Sequence, residues 1–353
     1  MFNNDFGMGY NLAGELVPLF KEQLLNCKVN KNETVVIFSD SMTNPHYPSG
    51  IMGAAREIGC DVFQISVPYF TKVKRKITRA YGDDVVPSKG PLEAMQAADI
   101  VFDVSTIGWL YSHVHNEILK SGTRVLMVAH PPDILRRLLP LEEVKIKTVN
   151  GANVLQQGKK IRMTSEAGTD LTFDKTNRKA LAQYGAADEP GRWDNWPSGQ
   201  VGCAPLENSA EGVLILDVGD IILRLRRYVS APIRCEFKNG KMISIEGGLD
   251  AFMLREYMQE WEDEKAYIPA HIGWGTEHRA IWIELALPGD GGVMDAESYY
   301  GDVLLGMGAN YFIGLGGENV TSAHIDFCLR NHNFWVDDLQ VLEKGSILPK
   351  DLK

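Results

Sequence analysis

Four short runs rich in Val, Ile and Phe, each followed by a stretch of helical period, occupy the first 140 residues of the chain. This alternation constrains the fold more than any other feature, because a strand–helix–strand rhythm builds a parallel sheet covered by helices. The runs at 34–39, 61–67, 99–104 and 124–129 are short and mostly apolar, as strands buried on both faces are. Between them, 12–25 sets Leu16, Leu19, Phe20 and Leu24 at helical spacing, while 50–58, 91–97 and 113–120 fill the remaining helical slots.

From about residue 145 the rhythm changes to hairpins. Residues 160–175 turn at Ala167-Gly168-Thr169-Asp170, and 233–245 pivot on Asn239-Gly240, a pair that accepts the positive φ of a tight hairpin. A long helix at 249–264 interrupts them; its acidic end (Glu260, Glu262, Asp263, Glu264) reads as a solvated face rather than a metal cluster. The expectation is an α/β protein with a Rossmann-like parallel-sheet domain over 1–140 and a mixed α+β domain over 141–353 that carries the metal site. The first strand runs into Ser39-Asp40-Ser41-Met42-Thr43-Asn44-Pro45 instead of a G-x-G-x-x-G turn, so no dinucleotide is implied. The glycine-rich stretches at 289–292 and 314–317 read as turns.

Apolar residues at 44% and charged residues at 23% fit a soluble globular chain. A net charge of −10 argues against nucleic acid or an anionic membrane as partner, since both reward a basic face. The basic clusters at 72–76 and 224–227 read as solvated faces or contacts within a homo-oligomer. No apolar run reaches the roughly 20 residues that span a bilayer, and residues 1–5 carry no basic leader. Five scattered cysteines without a C-x-x-C pair point to a reducing cytoplasm rather than a disulfide framework.

Chemistry concentrates in three places. In Ala323-His324-Ile325-Asp326, the period of two points His324 and Asp326 to one face of a strand, as half of a metal site or as a locally hydrogen-bonded strand end. In Ala270-His271-Ile272-Gly273-Trp274-Gly275, two glycines permit close backbone approach and Trp274 is a candidate cavity wall. If His271 joins the pair, two imidazoles and one carboxylate leave adjacent positions open, which suits non-haem Fe(II) and would equally accept Zn²⁺ or Mn²⁺ for hydrolysis. The third place, 188–199, is dense in charges and tryptophans and reads as a loop folded over a pocket. There Arg192, Glu189 and Asp194 are candidate substrate contacts or loop staples, and Trp196 is a candidate aromatic wall. His46, His130 and His332 read as structural.

Taken together these motifs resemble a family. D-E-P-G-R-W-D-x-W-P-S-G over 188–199, E-G-x-L-x-L-D-V-G-D-I-I-L over 211–223, H-I-G-W-G over 271–275, M-D-A over 294–296 before Tyr300-Gly301, and H-x-D followed by Leu329-Arg330-Asn331 keep a fixed order. They are similar, from about residue 85 to the C-terminus, to the 2,5-dihydroxypyridine 5,6-dioxygenase family, and more distantly to thermophilic aminopeptidases of the same fold. The resemblance implies Fe(II) on His271, His324 and Asp326, and an extradiol-like opening by dioxygen of a hydroxylated pyridine or related aromatic ring. It also implies a nearby base for the substrate's proton.

The chain departs from the family where that base is implied. Asn195 stands at the position of a histidine and Gln183 at that of an acid, and an amide takes up no proton at neutral pH. Tyr111 aligns with a further pocket histidine, with His113, His115 or His278 as substitutes. Two readings stay open: an iron dioxygenase whose altered substrate is positioned by Asn195 and Gln183 and is either already anionic or served by Tyr111, His113, His115 or His278 as base, or a metal-dependent hydrolase acting on an amide, amine or ring C–N bond.

Overall fold

The computed structural model describes residues 8–69, 82, 87–106, 109–287 and 291–353, with side chains from residue 14 onward. The basic cluster at 72–76 and Gly289-Asp290 lie outside the described residues. The first half runs α1 (Met8–Asn26), β1 (Thr34–Asp40), α2 (His46–Ile58), β2 (Asp61–Val67), α3 (Lys89–Gln96), β3 (Ile100–Asp103), α4 (His113–Lys120), β4 (Arg124–Val128), α5 (Pro132–Arg137) and α6 (Glu142–Gln157). All four strands join one parallel sheet in the order β2-β1-β3-β4. Successive residues of β1 feed two cores: Val35 and Ile37 pack with Phe20, Ile51 and Phe102, while Val36 and Phe38 pack with Val101, Trp109 and Val125. This is the continuous apolar strand of a sheet covered on both sides. The run at 61–67 forms its strand, but at the sheet edge and largely uncovered, with Phe63 41% exposed, rather than buried as its composition suggests.

Helix α6 is absent from the sequence reading, which begins the hairpins at about residue 145. Gly151 costs helix stability, yet a Cβ there would come within 2.8 Å of Val201 and 2.9 Å of Trp274. Its bareness lets α6 lie flat on the second half.

That half continues β5 (Lys160–Thr164), β6 (Asp170–Asp174), β7 (Ala180–Gln183), β8 (Trp193–Trp196), β9 (Gln200–Cys203), β10 (Glu211–Leu216), β11 (Ile221–Ile222), β12 (Arg227–Tyr228), β13 (Ile233–Lys238) and β14 (Lys241–Glu246). After them come α7 (Leu249–Gln259), β15 (Pro269–Gly275), α8 (Val293–Glu297), β16 (Val303–Gly308), β17 (His324–Leu329), β18 (Asn333–Val336), β19 (Leu339–Glu343) and β20 (Ser346–Ile347). Both expected hairpins form, β5–β6 and β13–β14, the latter with Asn239 and Gly240 at φ 49° and 79°. The helix expected to 264 stops at Gln259; Glu262 turns to φ 50°, and Asp263 caps a fresh short turn by accepting from Lys265 N. Two antiparallel sheets result, an eight-stranded one in the order β14-β13-β10-β6-β5-β18-β19-β20 and a seven-stranded one in the order β12-β11-β17-β16-β15-β9-β7.

The stretch expected as a loop over a pocket is only partly one. Trp193–Trp196 is a strand with all four residues buried, and it pairs in parallel with β4 as the fifth strand of the first sheet. The parallel sheet is thus completed from well beyond residue 140.

Three buried histidines give this fold an acid-side weakness. Burial pushes the His115 imidazole down to about 3, and those of His130 and His332 down to about 4. Each folded value lies below the unfolded value of about 6.5, so the unfolded chain binds more protons between these limits and stability falls as pH drops below about 6.5. Each group then costs up to about 1.4 kcal/mol per pH unit within its window. Thermal midpoints should fall from pH 7 to pH 5, and His115→Phe should flatten that slope; an unchanged slope would remove His115 from the account.

Candidate metal centre

Strand β17 carries His324 and Asp326 on one face, two residues apart. Across from it β16 presents Gly308 opposite His324 and Gly306 opposite Asp326, and on its other side Gly306 faces His271 of β15. The three candidate ion-holding side chains therefore come from two strands separated by a third that carries no side chain at the crossing point. A Cβ on Gly306 would lie 2.3 Å from His271 Nε2 and 2.7 Å from two ring carbons, so the imidazole occupies the space a side chain would fill.

His271 Nε2 lies 3.1 Å and His324 Nε2 3.2 Å from Asp326 Oδ1, and the two nitrogens are 3.3 Å apart. Ligands at about 2.1 Å from a common ion would sit roughly 3.0 Å apart on an octahedral face and about 3.4 Å apart in a tetrahedron. The triangle falls between these values and fits one divalent ion. His324 Nδ1 sits 3.0 Å from the carbonyl of Ala309, which fixes the tautomer that leaves Nε2 a free lone pair for a metal. Burial lowers the His324 pKa, which keeps that lone pair available. Burial works to raise the Asp326 pKa, but the His324 and His271 imidazoles overcome it and hold the carboxyl well below the ordinary range.

Around the triad, the Tyr111 ring lies 4.8 Å from that of His324, and Arg224 Nε and the Tyr257 hydroxyl donate to the His324 carbonyl at 3.3 and 3.4 Å. Beyond His271, the same sheet face carries Gly275, opposite Gln200 of β9, which is opposite Gln183 of β7. Gln200 Nε2 donates to Gln183 Oε1 at 2.9 Å, and Glu297 stands at the end of α8. Burial and the neighbouring Asp326 carboxylate raise the Glu297 pKa well above its ordinary value. Asn195 is buried on β8; Asp194 beside it accepts from Tyr184 N, the residue after Gln183, at 3.0 Å.

Several candidates lie elsewhere. Trp274 has the opposite parity to His271 along β15 and packs fully buried against Phe334 at 5.5 Å, so it belongs to the core, not to a cavity wall. Trp196, of opposite parity to Asn195, packs on Phe20 at 5.9 Å in the helix-covered core. Arg192 donates to the carbonyls of Ala186 and Ala182 and to Asp194 at 2.7 Å, and lies 3.9 Å over the Tyr184 ring; it staples β7 to β8. Glu189 is exposed at the preceding turn. His113 is exposed and meets Tyr311, His278 pairs with Glu143 at 3.3 Å near the surface, and His115 is boxed in by Trp109, Trp193 and Phe312. Gly306 and Glu297 carry weight that the sequence reading did not give them. Gly306-Met307-Gly308 repeats with the period of H-x-D and could have been matched to it; Glu297 had no such signal.

A family model described as 2,5-dihydroxypyridine 5,6-dioxygenase matches residues 15–349. The chain belongs to the 2,5-dihydroxypyridine 5,6-dioxygenase family. Within this family it is 36% identical over 340 residues to the 2,5-dihydroxypyridine 5,6-dioxygenase of Pseudomonas putida, covering 95% of this chain and 96% of that protein. The solved structure of a 2,5-dihydroxypyridine dioxygenase from Pseudomonas putida superposes with a TM-score of 0.90 at 34% identity, over 97% of this chain and 99% of that one. AmpT from Thermus thermophilus shares the fold, with a TM-score of 0.63 at 12% identity over 95% of this chain and 100% of that one. The family and fold class expected from the motifs are therefore the ones found. No helix among the described residues is long and apolar enough to cross a membrane.

Proposed function

We propose that this protein is a non-haem Fe(II)-dependent dioxygenase that opens a hydroxylated pyridine, or a related hydroxylated heteroaromatic ring, by extradiol-like cleavage with dioxygen. The carrying observation is the three-donor face of His271, His324 and Asp326, the one cluster of three or more ligating side chains among the described residues. Two imidazoles and one carboxylate on one side of an ion leave the other side open, the arrangement that suits ring and dioxygen together. Membership of the dioxygenase family supports the same chemistry. Bound there, Fe(II) supplies the redox chemistry that a closed-shell ring and dioxygen do not enter unaided.

The chain's own residues bind and orient. Tyr111, lying against the His324 ring, offers a face beside the reacting ring, and Gln183 and Asn195 offer hydrogen bonds without taking a proton. The protonation state of the substrate is then selected at binding rather than set by these two residues. His113, Arg192, Glu189, Trp196 and Trp274 drop out of this set on their positions. A metal-dependent hydrolase has less support, from the shared fold of AmpT alone. We further read the protein as cytoplasmic, from its five buried, unpaired cysteines. We read it as a homo-oligomer, from exposed Val218 and Ile283 on segments that Trp282 Nε1 ties together through the Gly219 carbonyl.

Anaerobically loaded protein should retain about one Fe(II) per chain and consume dioxygen with at least one compound of a hydroxypyridine and dihydroxy-aromatic panel. Hydrolysis of an amide panel with no dioxygen uptake would give the site to the hydrolytic reading.

A further inference from the structure

His324 can present Nε2 to an ion only while its one ring proton stays on Nδ1. A neutral imidazole carries a single N–H, and the partner of one ring nitrogen decides which of the two holds it. That partner is the Ala309 carbonyl, 3.0 Å from His324 Nδ1. Ala309 lies just past the end of β16, at the start of the connection 309–323 that leads into β17, so no sheet ladder fixes the direction of its carbonyl. Ala309 N donates to the Ala323 carbonyl at 2.8 Å, but that N–H belongs to the preceding peptide.

The peptide unit that carries the carbonyl also contains the N–H of Asn310, which donates to the Asn319 carbonyl at 3.1 Å. The C=O and N–H of a planar trans peptide point in opposite directions, so holding the N–H aims the carbonyl. Asn319 is itself immobilised. Its N–H donates to Asn310 Oδ1 at 2.7 Å, and its Nδ2 donates to the carbonyls of Gly308 and Lys265 at 2.8 and 2.9 Å. Asn310 Nδ2 donates to Glu207 Oε1 at 3.2 Å, which also accepts from Glu318 N at 2.9 Å, while Arg178 donates to Glu207 Oε2 and to the Gly316 carbonyl. The sense of the Asn310 amide follows from its neighbours, because a backbone N–H can meet only its oxygen and a carboxylate only its NH₂. Both asparagines are buried, and Gly317 is bare where a Cβ would come within 2.3 Å of the Asn310 side chain. The other staples of this connection, from Asn116 and Lys179, reach Tyr311 and Ile313 and touch neither residue of the aimed peptide.

We infer that Glu207, Asn310 and Asn319 are positioning residues for the metal centre, which aim the Ala309 carbonyl at His324 Nδ1 and so set the tautomer that turns a bare Nε2 to the ion. The inference rests on the triad as the metal centre and adds to it the part of the protein that prepares one ligand before any ion arrives. None of the three belongs to the ligating cluster. If their grip is lost and the peptide turns, Nδ1 loses its buried acceptor and the proton is free to settle on Nε2, the atom a cation needs unprotonated.

The test uses Asn310→Asp, which keeps the oxygen for Asn319 N and sets a second carboxylate oxygen against Glu207. Nitrogen NMR of full-length, histidine-labelled, metal-free protein at neutral pH separates protonated from bare ring nitrogens, with His324 assigned by the signals lost in His324→Gln. Native protein should carry the His324 proton on Nδ1, and Asn310→Asp should move it wholly or partly to Nε2. Anaerobic Fe(II) affinity should fall in parallel by about 10- to 100-fold, as for loss of an outer-shell partner. Adding Glu207→Gln supplies an NH₂ for the new carboxylate and an oxygen for Arg178, and should recover part of both losses. Lys175→Met is the structural comparison: it removes a buried ammonium that donates to the Leu155 and Gly158 carbonyls, and should lower thermal stability without moving either readout. An Nε2 proton in native His324, an unchanged tautomer in folded Asn310→Asp, no recovery in the double variant, or an equal loss of iron affinity in Lys175→Met would each overturn the inference. The native tautomer is read without any variant, so a substitution that fails to fold does not shield it. Native protein with the proton on Nδ1 but no affinity for iron would sink the metal-centre reading and leave the control of the tautomer standing; iron held equally well by native protein and Asn310→Asp would do the reverse.

Discussion

Replacing Asp326 by alanine should yield a protein that no longer retains a divalent metal through gel filtration, while native protein retains about one ion per chain. Asp326 is the only anion of the triad, and its Oδ1 stands 3.1 and 3.2 Å from the two imidazole nitrogens. Without it the ion keeps only the two neutral donors of the triad in an interior position, where an unbalanced charge is costly. Losing an outer-shell partner typically costs a metal site about 10- to 100-fold in affinity, and removing the charged ligand itself should exceed that. Dioxygen uptake should disappear with the metal. Metal analysis of a folded Asp326→Ala protein that still showed stoichiometric iron would refute the site. His324→Ala should behave in the same direction.

A methyl group at position 306 should be nearly as damaging, although Gly306 itself binds nothing. The added carbon would sit 2.3 Å from His271 Nε2, well inside contact distance, so the ring has to swing away from Asp326 and His324. Displacements of about 1 Å can cost an enzyme on the order of a hundredfold, and a loss of that size in iron affinity and in dioxygen uptake is expected for Gly306→Ala. The mechanism makes a further demand that a general loss of stability would not. If Gly306→Ala acts only by moving His271, then combining it with His271→Ala should cost little more than His271→Ala alone, because the interaction it disrupts is already gone. Fully additive losses in that double variant would show that Gly306 matters for some other reason.

Much of this was legible in the chain, and the limits of legibility are physical. The strands of the first sheet could be read because a strand covered on both faces is a continuous apolar run, and His324 and Asp326 could be paired because parity along a strand is independent of the rest of the fold. The same parity, applied to β15 and β8, places Trp274 opposite His271 and Trp196 opposite Asn195; their aromatic character suggested a cavity wall, but the period of two sends both into cores. Edge position hid the exposure of β2, since whether a strand is flanked on one side or two is decided by sheet order, not by its own residues. Helix α6 went unread, and the value of its Gly151 lies in contacts with Val201 and Trp274 far along the chain. Glu297 was invisible for a similar reason: its meaning comes from Asp326, and no local pattern links the two.

The fifth strand of the parallel sheet has a consequence for how such a protein can vary. The candidate metal ligands all ride on the seven-stranded sheet, whereas Asn195 is carried by β8, stitched to β4 in the other sheet. The candidate triad and Asn195 are therefore mounted on separate sheets, and Trp193 of the Asn195 strand packs against His115 and Phe312. A substitution among these aromatic rings can shift one sheet against the other, so the placement of Asn195 can change while every residue of the candidate triad stays the same.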